Sequence, residues 1–475
     1  MRGIGGRLVA GPTVRLLGLC LLLGAVSLLL SSTPRFDPGA WVIWGKQITD
    51  ANVGLSTLRG PSWKPLPVMF TTIFSLFGAA APTLWVLTAR TGAVLALAFA
   101  YRLGERLAGT GAGVAAALFL VLTGGWLGEV GYAGEAGILL ALVLAAVDRH
   151  LAGHPTQAFT LGVAAALLRV EIWPFVGLYA LWLGWRRQGS RLLMASALLS
   201  LPVVWFVPDW VTIGEPFRAS RVAHTSAEAH AMGALEHPAL VVLARAYELV
   251  PLPVHLLALV SVAYAVRRGE RAVVVLVTAA LAWVALVVLM TVAGGYAGLP
   301  RFMAPAAALV CVIAAVGAAQ LIETASRRVP ALAATAILVA IVVPFGIPRL
   351  EAVLGHARAA HQWQQTADDL ESAVDRVGGP SKVACQQPTV NYPASTRLAW
   401  ILGVPLDAVD SRGRPGSLVF AASQHVGKPP PRPSGARYTT LTRVGVWTVY
   451  SIPATSRKLA RANPRCPPRF AAHGR

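Results

Sequence analysis

Long apolar runs dominate the first three quarters of the chain. Between residues 14 and 348, stretches of nearly unbroken Leu, Val, Ala, Ile and Phe recur. Each comes near the ~20 residues that a helix needs to cross a ~30 Å hydrocarbon core. Short basic turns interrupt them: Arg186, Arg187 and Arg191; Arg267, Arg268 and Arg271; Arg327 and Arg328. Such turns mark the cytoplasmic side of a membrane. Runs at 14–30, 82–101, 111–124, 134–148, 156–169, 171–185, 191–208, 246–265, 272–292, 302–323 and 330–348 therefore predict about eleven spans, with the N-terminus in and the C-terminus out. The first run follows Arg2, Arg7 and Arg15 and has the look of a signal peptide, but no small-x-small cleavage pattern follows it, so it reads as a retained span. The apolar stretch 66–77 is too short to cross and predicts an interfacial or re-entrant helix.

Beyond residue 348 the pattern changes. Leu350, Val353, Leu354, Trp363, Leu370 and Val374 follow helical spacing, and segments 382–386, 417–422 and 438–451 read as strands. A Pro-rich loop at 429–433 and a basic tail precede the end. The expected architecture is an α-helical polytopic membrane domain over 1–348, a small extracytoplasmic α/β domain over 349–455, and a disordered tail over 456–475.

Composition agrees and removes alternatives. With 55% hydrophobic residues, 13% charged residues and a mean hydropathy of +0.60, the chain cannot cover a soluble globule with polar surface. The net charge of +20 would suggest nucleic acid in a soluble protein, but no basic stripe with interleaved aromatics is present, so membrane topology accounts for it. From residue 349 onward, 17 Lys and Arg face seven Asp and Glu, so about half of the net charge lies there. Cys20 and Cys311 sit in apolar runs, which leaves Cys385 and Cys466 as the pair able to form a disulfide in an oxidising compartment. The sequence contains no Walker loop, dinucleotide fingerprint or Cys-x-x-Cys, and the spacing of His224, His230 and His237 is not that of a metal site.

Candidate chemistry concentrates in the outside loops, 33–64, 209–247 and 294–301. The first begins Arg35-Phe36-Asp37-Pro38-Gly39-Ala40-Trp41-Val42-Ile43-Trp44-Gly45-Lys46. Taken alone this is an interfacial anchor: Trp41 and Trp44 in an aromatic belt, and Asp37 at a helix start beside Pro38. Its continuation is Gly60-Pro61-Ser62-Trp63-Lys64-Pro65-Leu66-Pro67, then Leu76-Phe77-Gly78, Ala89-Arg90-Thr91-Gly92-Ala93 and Tyr101-Arg102-Leu103-Gly104-Glu105-Arg106.

This order resembles the GT-C superfamily of membrane glycosyltransferases, in particular the branch of dolichyl-phosphate-mannose protein mannosyltransferases and aminoarabinose transferases. There an Asp-Glu pair after the first span precedes a Lys-Pro-Pro-like turn, a juxtamembrane helix ending Leu-Phe-Gly, and a span ending in a Leu-Gly-Arg-Arg-like turn. The resemblance covers residues 14–185 motif by motif and the later spans by layout. This chain has Asp37-Pro38 for the acidic pair and Lys64-Pro65-Leu66-Pro67 for the turn.

The resemblance implies an inverting transfer of a sugar from a polyprenyl-phosphate-linked donor to an extracytoplasmic glycan, lipid or protein of the cell envelope, in the plasma (inner) membrane. It implies Asp37 as general base and Glu135 as a second catalytic acid at the start of the fourth full span, with Glu129 as its rival. A divalent cation, Mg or Mn, is the one cofactor it leaves open. Lys64, Arg218, Arg221 and Arg301 are the candidates for the donor phosphate, because cations at the membrane surface would hold a lipid phosphate. Trp41, Trp44, Trp63 and Glu129 are candidates for sugar or acceptor contact. Arg169 and Glu171 read as a structural ion pair. A flippase or transporter, or a non-catalytic scaffold, are the other classes that fit. A transporter should carry ionisable groups at mid-membrane, where apart from Arg90 few lie. Residue usage rich in Ala, Gly, Arg and Val is that of a high-GC bacterium, for which an arabinose- or mannose-type polymer is the expected product class.

Overall fold

A computed structural model describes residues 12–229, 236–422, 426–427, 438–453 and 466–470. The first apolar run forms α1 (Pro12–Ser27). A short link leads to α2 (Phe36–Thr49), nearly all of which is buried. The expected short helix is α3 (Pro65–Phe74), opened by Pro65 and Pro67, whose fixed φ suits a first helical turn. A 3-10 turn then bends the chain at Gly78 (φ 58°), a backbone state open to glycine at little cost. The long helix α4 (Ala81–Ala108) follows.

The bundle continues through α5 (Thr110–Val121), α6 (Trp126–Gly131), α7 (Ala136–Leu151), α8 (Pro155–Ala166), α9 (Trp173–Trp185) and α10 (Arg191–Ile213). After these come α11 (Arg218–Ala229), α12 (Pro238–Glu248), α13 (Leu252–Arg268), α14 (Arg271–Gly294) and α15 (Ala304–Ala325). Helix α15 is the axis of the bundle: 89% of its apolar window is buried, against 28% or less in the other candidate spans. Its Ala- and Gly-rich face permits this. A Cβ on Gly317 would stand 2.0 Å from the Leu257 carbonyl oxygen, so only glycine lets α13 and α15 approach this closely. On the outside of the bundle, Leu181, Leu192, Val211 and Leu332 are each more than 70% exposed, a surface suited to lipid.

Five helical stretches are long and apolar enough to cross a membrane: Pro65–Ala108, Arg191–Ile213, Arg271–Gly294, Pro300–Ala325 and Ala331–Arg376. Helices α12 and α13, bent by 93°, make a sixth if counted as one span. Every other expected run lies on a helix too, but α1, α5, α7, α8 and α9 have only 16, 12, 16, 12 and 13 residues. At ~1.5 Å per residue these are shorter than the ~30 Å core, so the expected count of about eleven exceeds what helix length supports.

The boundary expected at residue 348 lies inside one helix, α16 (Ala331–Arg376). Its first half is lipid-like in exposure, and its second half buries Trp363, Leu370, Ala373 and Val374 in the C-terminal domain. A strand was expected at 382–386. The chain instead forms α17 (Gly379–Ala384), started by Gly379-Pro380, and the first strand is β1 (Pro388–Val390). Then come α18 (Ser395–Leu402), β2 (Leu418–Ala422) and the hairpin β3 (Thr439–Val444) and β4 (Trp447–Ser451). The sheet order is β1-β2-β4-β3, parallel between β1 and β2 and antiparallel elsewhere.

This domain is not a separate globule. Trp41, Trp44 and Trp85 share one hydrophobic core with Val390, Leu398, Phe420 and Trp447, so α2 lies between the helical bundle and α18. Ser56 Oγ donates to Asp407 (2.8 Å) and Arg59 pairs with Asp410 (3.3 Å), pinning the first loop to the sheet side.

The Pro-rich loop at 429–433 lies outside the described residues. Within the tail expected to be disordered, residues 466–470 are fixed. Cys466 is disulfide-bonded to Cys385, Arg469 Nε donates to Leu402 O (3.0 Å), and Phe470 N donates to Gly403 O (2.8 Å). One backbone bond and the Arg469 side-chain bonds to Leu402 O and Ser381 Oγ alone hold such a short segment weakly. Reduction of the disulfide is therefore expected to raise hydrogen exchange in 466–470 while leaving β2 and β4 protected; unchanged exchange would show that the tail needs no staple.

Candidate active site

Several helix starts meet where the first loop touches the bundle. Asp37 occupies the second position of α2, next to the unpaired N–H groups of its first turn, where a carboxylate is favoured. Lys64 precedes α3 in an extended conformation forced by Pro65, and Leu66 N donates to Leu167 O (3.1 Å), which sets α3 on the α8 terminus. Glu135 precedes α7. The turn before it is held by Ser32 Oγ on Gly131 O (2.7 Å), Arg35 N on Tyr132 O (3.3 Å) and Trp85 Nε1 on Ala133 O (2.9 Å), with Ala133 at φ 63°. Arg169 precedes a 3-10 turn at 170–172, and Arg301 lies in the turn before α15.

The charges form a connected network. Glu135 Oε1 accepts from Lys64 Nζ and from Arg169 (3.0 Å), Arg169 also pairs with Glu171 (3.6 Å), and Tyr296 donates its hydroxyl to Glu171 (2.8 Å). Rings cover the cations: Trp41 lies 5.2 Å from the Lys64 ammonium and Phe302 lies 4.7 Å from the Arg169 guanidinium. Arg301 pairs with Glu129 at 3.6 Å, and both side chains are about one-third exposed or more. Burial pushes the Lys64 ammonium below its usual range, and the Glu135 carboxylate is the largest influence opposing it.

Asp37 differs from the other acids. It is half-buried, makes no hydrogen bond or ion pair among the described residues, and exerts its field on Lys64 and on the Tyr392 hydroxyl. Glu135, by contrast, already carries two cations at bonding distance. A carboxylate neutralised in that way is a poor proton acceptor, and Asp37 is the free one.

No protein-family model matches the chain, and no curated protein sequence matches it. Among solved structures, it is similar to ArnT, an aminoarabinose transferase, from Cupriavidus metallidurans bound to undecaprenyl phosphate. The identity is 14%, the match covers 93% of this chain and 98% of that one, and the TM-score is 0.54. The apo form of the same protein matches with a TM-score of 0.53 at 14% identity, over 92% of this chain and 97% of that one. The chain has the same fold as that ArnT. An Archaeoglobus fulgidus oligosaccharyltransferase tethered to an acceptor peptide also aligns, at 13% identity and TM-score 0.45, over 82% of this chain and 63% of that one.

Within this fold several expected site residues have other work. Trp41 and Trp44 are fully buried and Trp63 nearly so; Trp44 and Trp63 donate through Nε1 to Ser56 O and Val204 O, at 3.1 Å each. Their rings are core, neither belt nor sugar platform, because the C-terminal domain covers the loop. Arg218 is 2% exposed and donates to Gly60 O (2.7 Å) and Pro61 O (2.9 Å) beside Asp209 (3.9 Å), so it clamps the first loop and offers no free fork to a phosphate. Arg221 is exposed and paired with Glu215. Lys64, Glu135 and the Arg301–Glu129 pair do reach the Asp37 side of the bundle.

Sequence reasoning treated Arg169 as a simple pair with Glu171 and passed over Tyr296 and Tyr392. Arg169 had a local signal, its charge at a helix end; Tyr392 had none, since only the fold brings residue 392 beside residue 37. His224 and His237 lie apart from this network, and His230 is outside the described residues. Among the described residues no three His, Cys, Asp or Glu side chains are grouped to hold a metal ion. Glu129, Glu135 and Glu171 are each tied to a protein cation, so this donor set does not fit Mg or Mn.

Proposed function

We propose that the chain is a membrane glycosyltransferase that moves a sugar from a polyprenyl-phosphate-linked donor to an extracytoplasmic acceptor with inversion, using Asp37 as general base. The observation that carries this reading is the unpartnered Asp37 carboxylate beside a cationic cluster, within a fold like that of an ArnT solved with undecaprenyl phosphate. The acceptor O–H gives its proton to Asp37 as its oxygen bonds to the anomeric carbon. The bond from that carbon to the phosphate oxygen breaks, and the lipid phosphate leaves with the electron pair. Lys64, which keeps donors beyond the one given to Glu135, and Arg301, which is partly exposed, stabilise the phosphate charge. Glu135 holds Lys64 and Arg169 in place, and attack opposite the leaving phosphate inverts the anomeric centre. With the Arg-rich turns inside, this cluster and the C-terminal domain face outward, where the Cys385–Cys466 bond would persist.

The reading is tested in membranes supplied with radiolabelled polyprenyl-phosphate mannose or arabinose, alongside mass spectrometry of envelope glycans from cells with and without the protein. Label transfer and a glycan change that both depend on the chain are expected; neither appearing would refute it. For the phosphate site, Arg301→Ala is expected to weaken undecaprenyl phosphate binding about tenfold, the value of one charge-assisted hydrogen bond. Unchanged binding would remove Arg301 from the site.

A further inference from the structure

The tryptophans are buried, so the open aromatic surface at Asp37 comes from elsewhere. Tyr392, in the short turn between β1 and α18, is 55% exposed. Its ring stands 4.3 Å, centre to centre, from that of Phe36, the residue before Asp37. Its hydroxyl makes no hydrogen bond among the described residues, yet surrounding protein and the Asp37 carboxylate push it up to about 12. The exposed ring therefore keeps its hydroxyl protonated, as a donor, at physiological pH.

The turn that carries Tyr392 is rigid. Asn391 is fully buried; its side-chain oxygen accepts from Ala422 N (3.0 Å) and its amide donates to Ala422 O (3.2 Å). Ser395 Oγ donates to Tyr392 O (2.8 Å), and Gly39 of α2 packs against Thr396 so closely that a Cβ there would meet its Oγ1 at 2.6 Å. The sheet, α18 and α2 therefore fix the Tyr392 ring relative to Asp37.

We propose that Tyr392 is the acceptor-positioning residue of this site and that the acceptor is a carbohydrate. Its ring, backed by Phe36, takes the apolar C–H face of a sugar and sets one sugar hydroxyl against the Asp37 carboxylate. The same surroundings argue against the other acceptor classes. A peptide acceptor would gain most from pairing with a free strand edge. The edge of β1 beside Tyr392 is already taken: Val390 N donates to Asp410 O (3.0 Å) and Asp410 N to Pro388 O (2.9 Å). A lipid tail would need an apolar trough, whereas the charges of Asp37 and Arg218 both act on this hydroxyl.

The inference rests on the proposed function, and two ligands separate their failures. Saturation-transfer NMR on the full chain in lipid nanodiscs, with octyl mannopyranoside and octyl arabinofuranoside as probes, should show saturation on the sugar C–H protons. Tyr392→Ala is expected to weaken that binding about tenfold, Phe36→Ala less, and Tyr392→Trp to restore it. Undecaprenyl phosphate should bind the wild type and Tyr392→Ala alike. Rescue by tryptophan and intact lipid-phosphate binding exclude a simple folding defect. Glycoside binding that is absent from the wild type or unchanged in Tyr392→Ala would overturn the inference. Failure of the wild type to bind undecaprenyl phosphate would instead overturn the donor reading.

Discussion

Asp37→Asn is expected to lower sugar transfer by roughly 10²- to 10⁴-fold, the usual contribution of a positioned general base, while leaving undecaprenyl phosphate binding within about twofold. The amide keeps the size and the place at the α2 start but cannot take a proton. Asp37 makes no hydrogen bond or ion pair among the described residues, so its replacement breaks no contact, and losing its charge at the α2 start and beside Lys64 should cost no more than about 1 kcal/mol. Transfer by the Asn variant at the wild-type rate, from purified protein with a labelled lipid donor, would sink the assignment. Loss of both transfer and lipid binding would mean that Asp37 shapes the phosphate site instead.

The helical bundle was readable because its signals are local. Arg186, Arg267 and Arg327 sit in turns where helices end, and Leu76-Phe77-Gly78 marks the bend after α3, since Gly78 takes a positive φ. Span count was less readable. Apolar residues continue through the helix ends at Ala166 and Val121, and hydropathy does not register the break. The strand expected at 382–386 failed for a related reason: a short apolar run has no period of its own, and the Gly379-Pro380 start was the better guide.

The candidate site was half readable. Asp37, Lys64 and Glu135 were picked out by the resemblance of their motifs to the GT-C superfamily; taken alone, the Asp37 stretch read as an interfacial anchor. What covers Trp41 and Trp44 could not be foreseen, because the surfaces that bury them, Leu398 and Phe420, lie more than 300 residues away in sequence. Tyr392 reaches the site through the same long-range packing. The C-terminal domain thus packs on the first loop beside Asp37, the place that the sequence reading expected it to take next to the active site.

Glu135→Ala should be the most destabilising change in the site. Lys64 and Glu135 side chains are 12% and 8% exposed and Arg169 is 9% exposed, so removing the carboxylate strands two cations out of water. Breaking a buried pair by deleting one partner costs about 3–5 kcal/mol. Arg169 keeps Glu171 at 3.6 Å and its stacking on Phe302; Lys64 keeps only the Trp41 face and the field of Asp37, and most of the loss should fall there. The double variant Glu135→Ala with Lys64→Met should therefore recover part of the loss, since it no longer buries an unpaired ammonium. Unfolding titrations in mixed detergent micelles measure both variants. A single variant within about 1 kcal/mol of wild type, or a double variant no better than the single, would mean that water already solvates Lys64. The cluster would then be an open, hydrated phosphate site, and Lys64 would be poised by solvent rather than by Glu135.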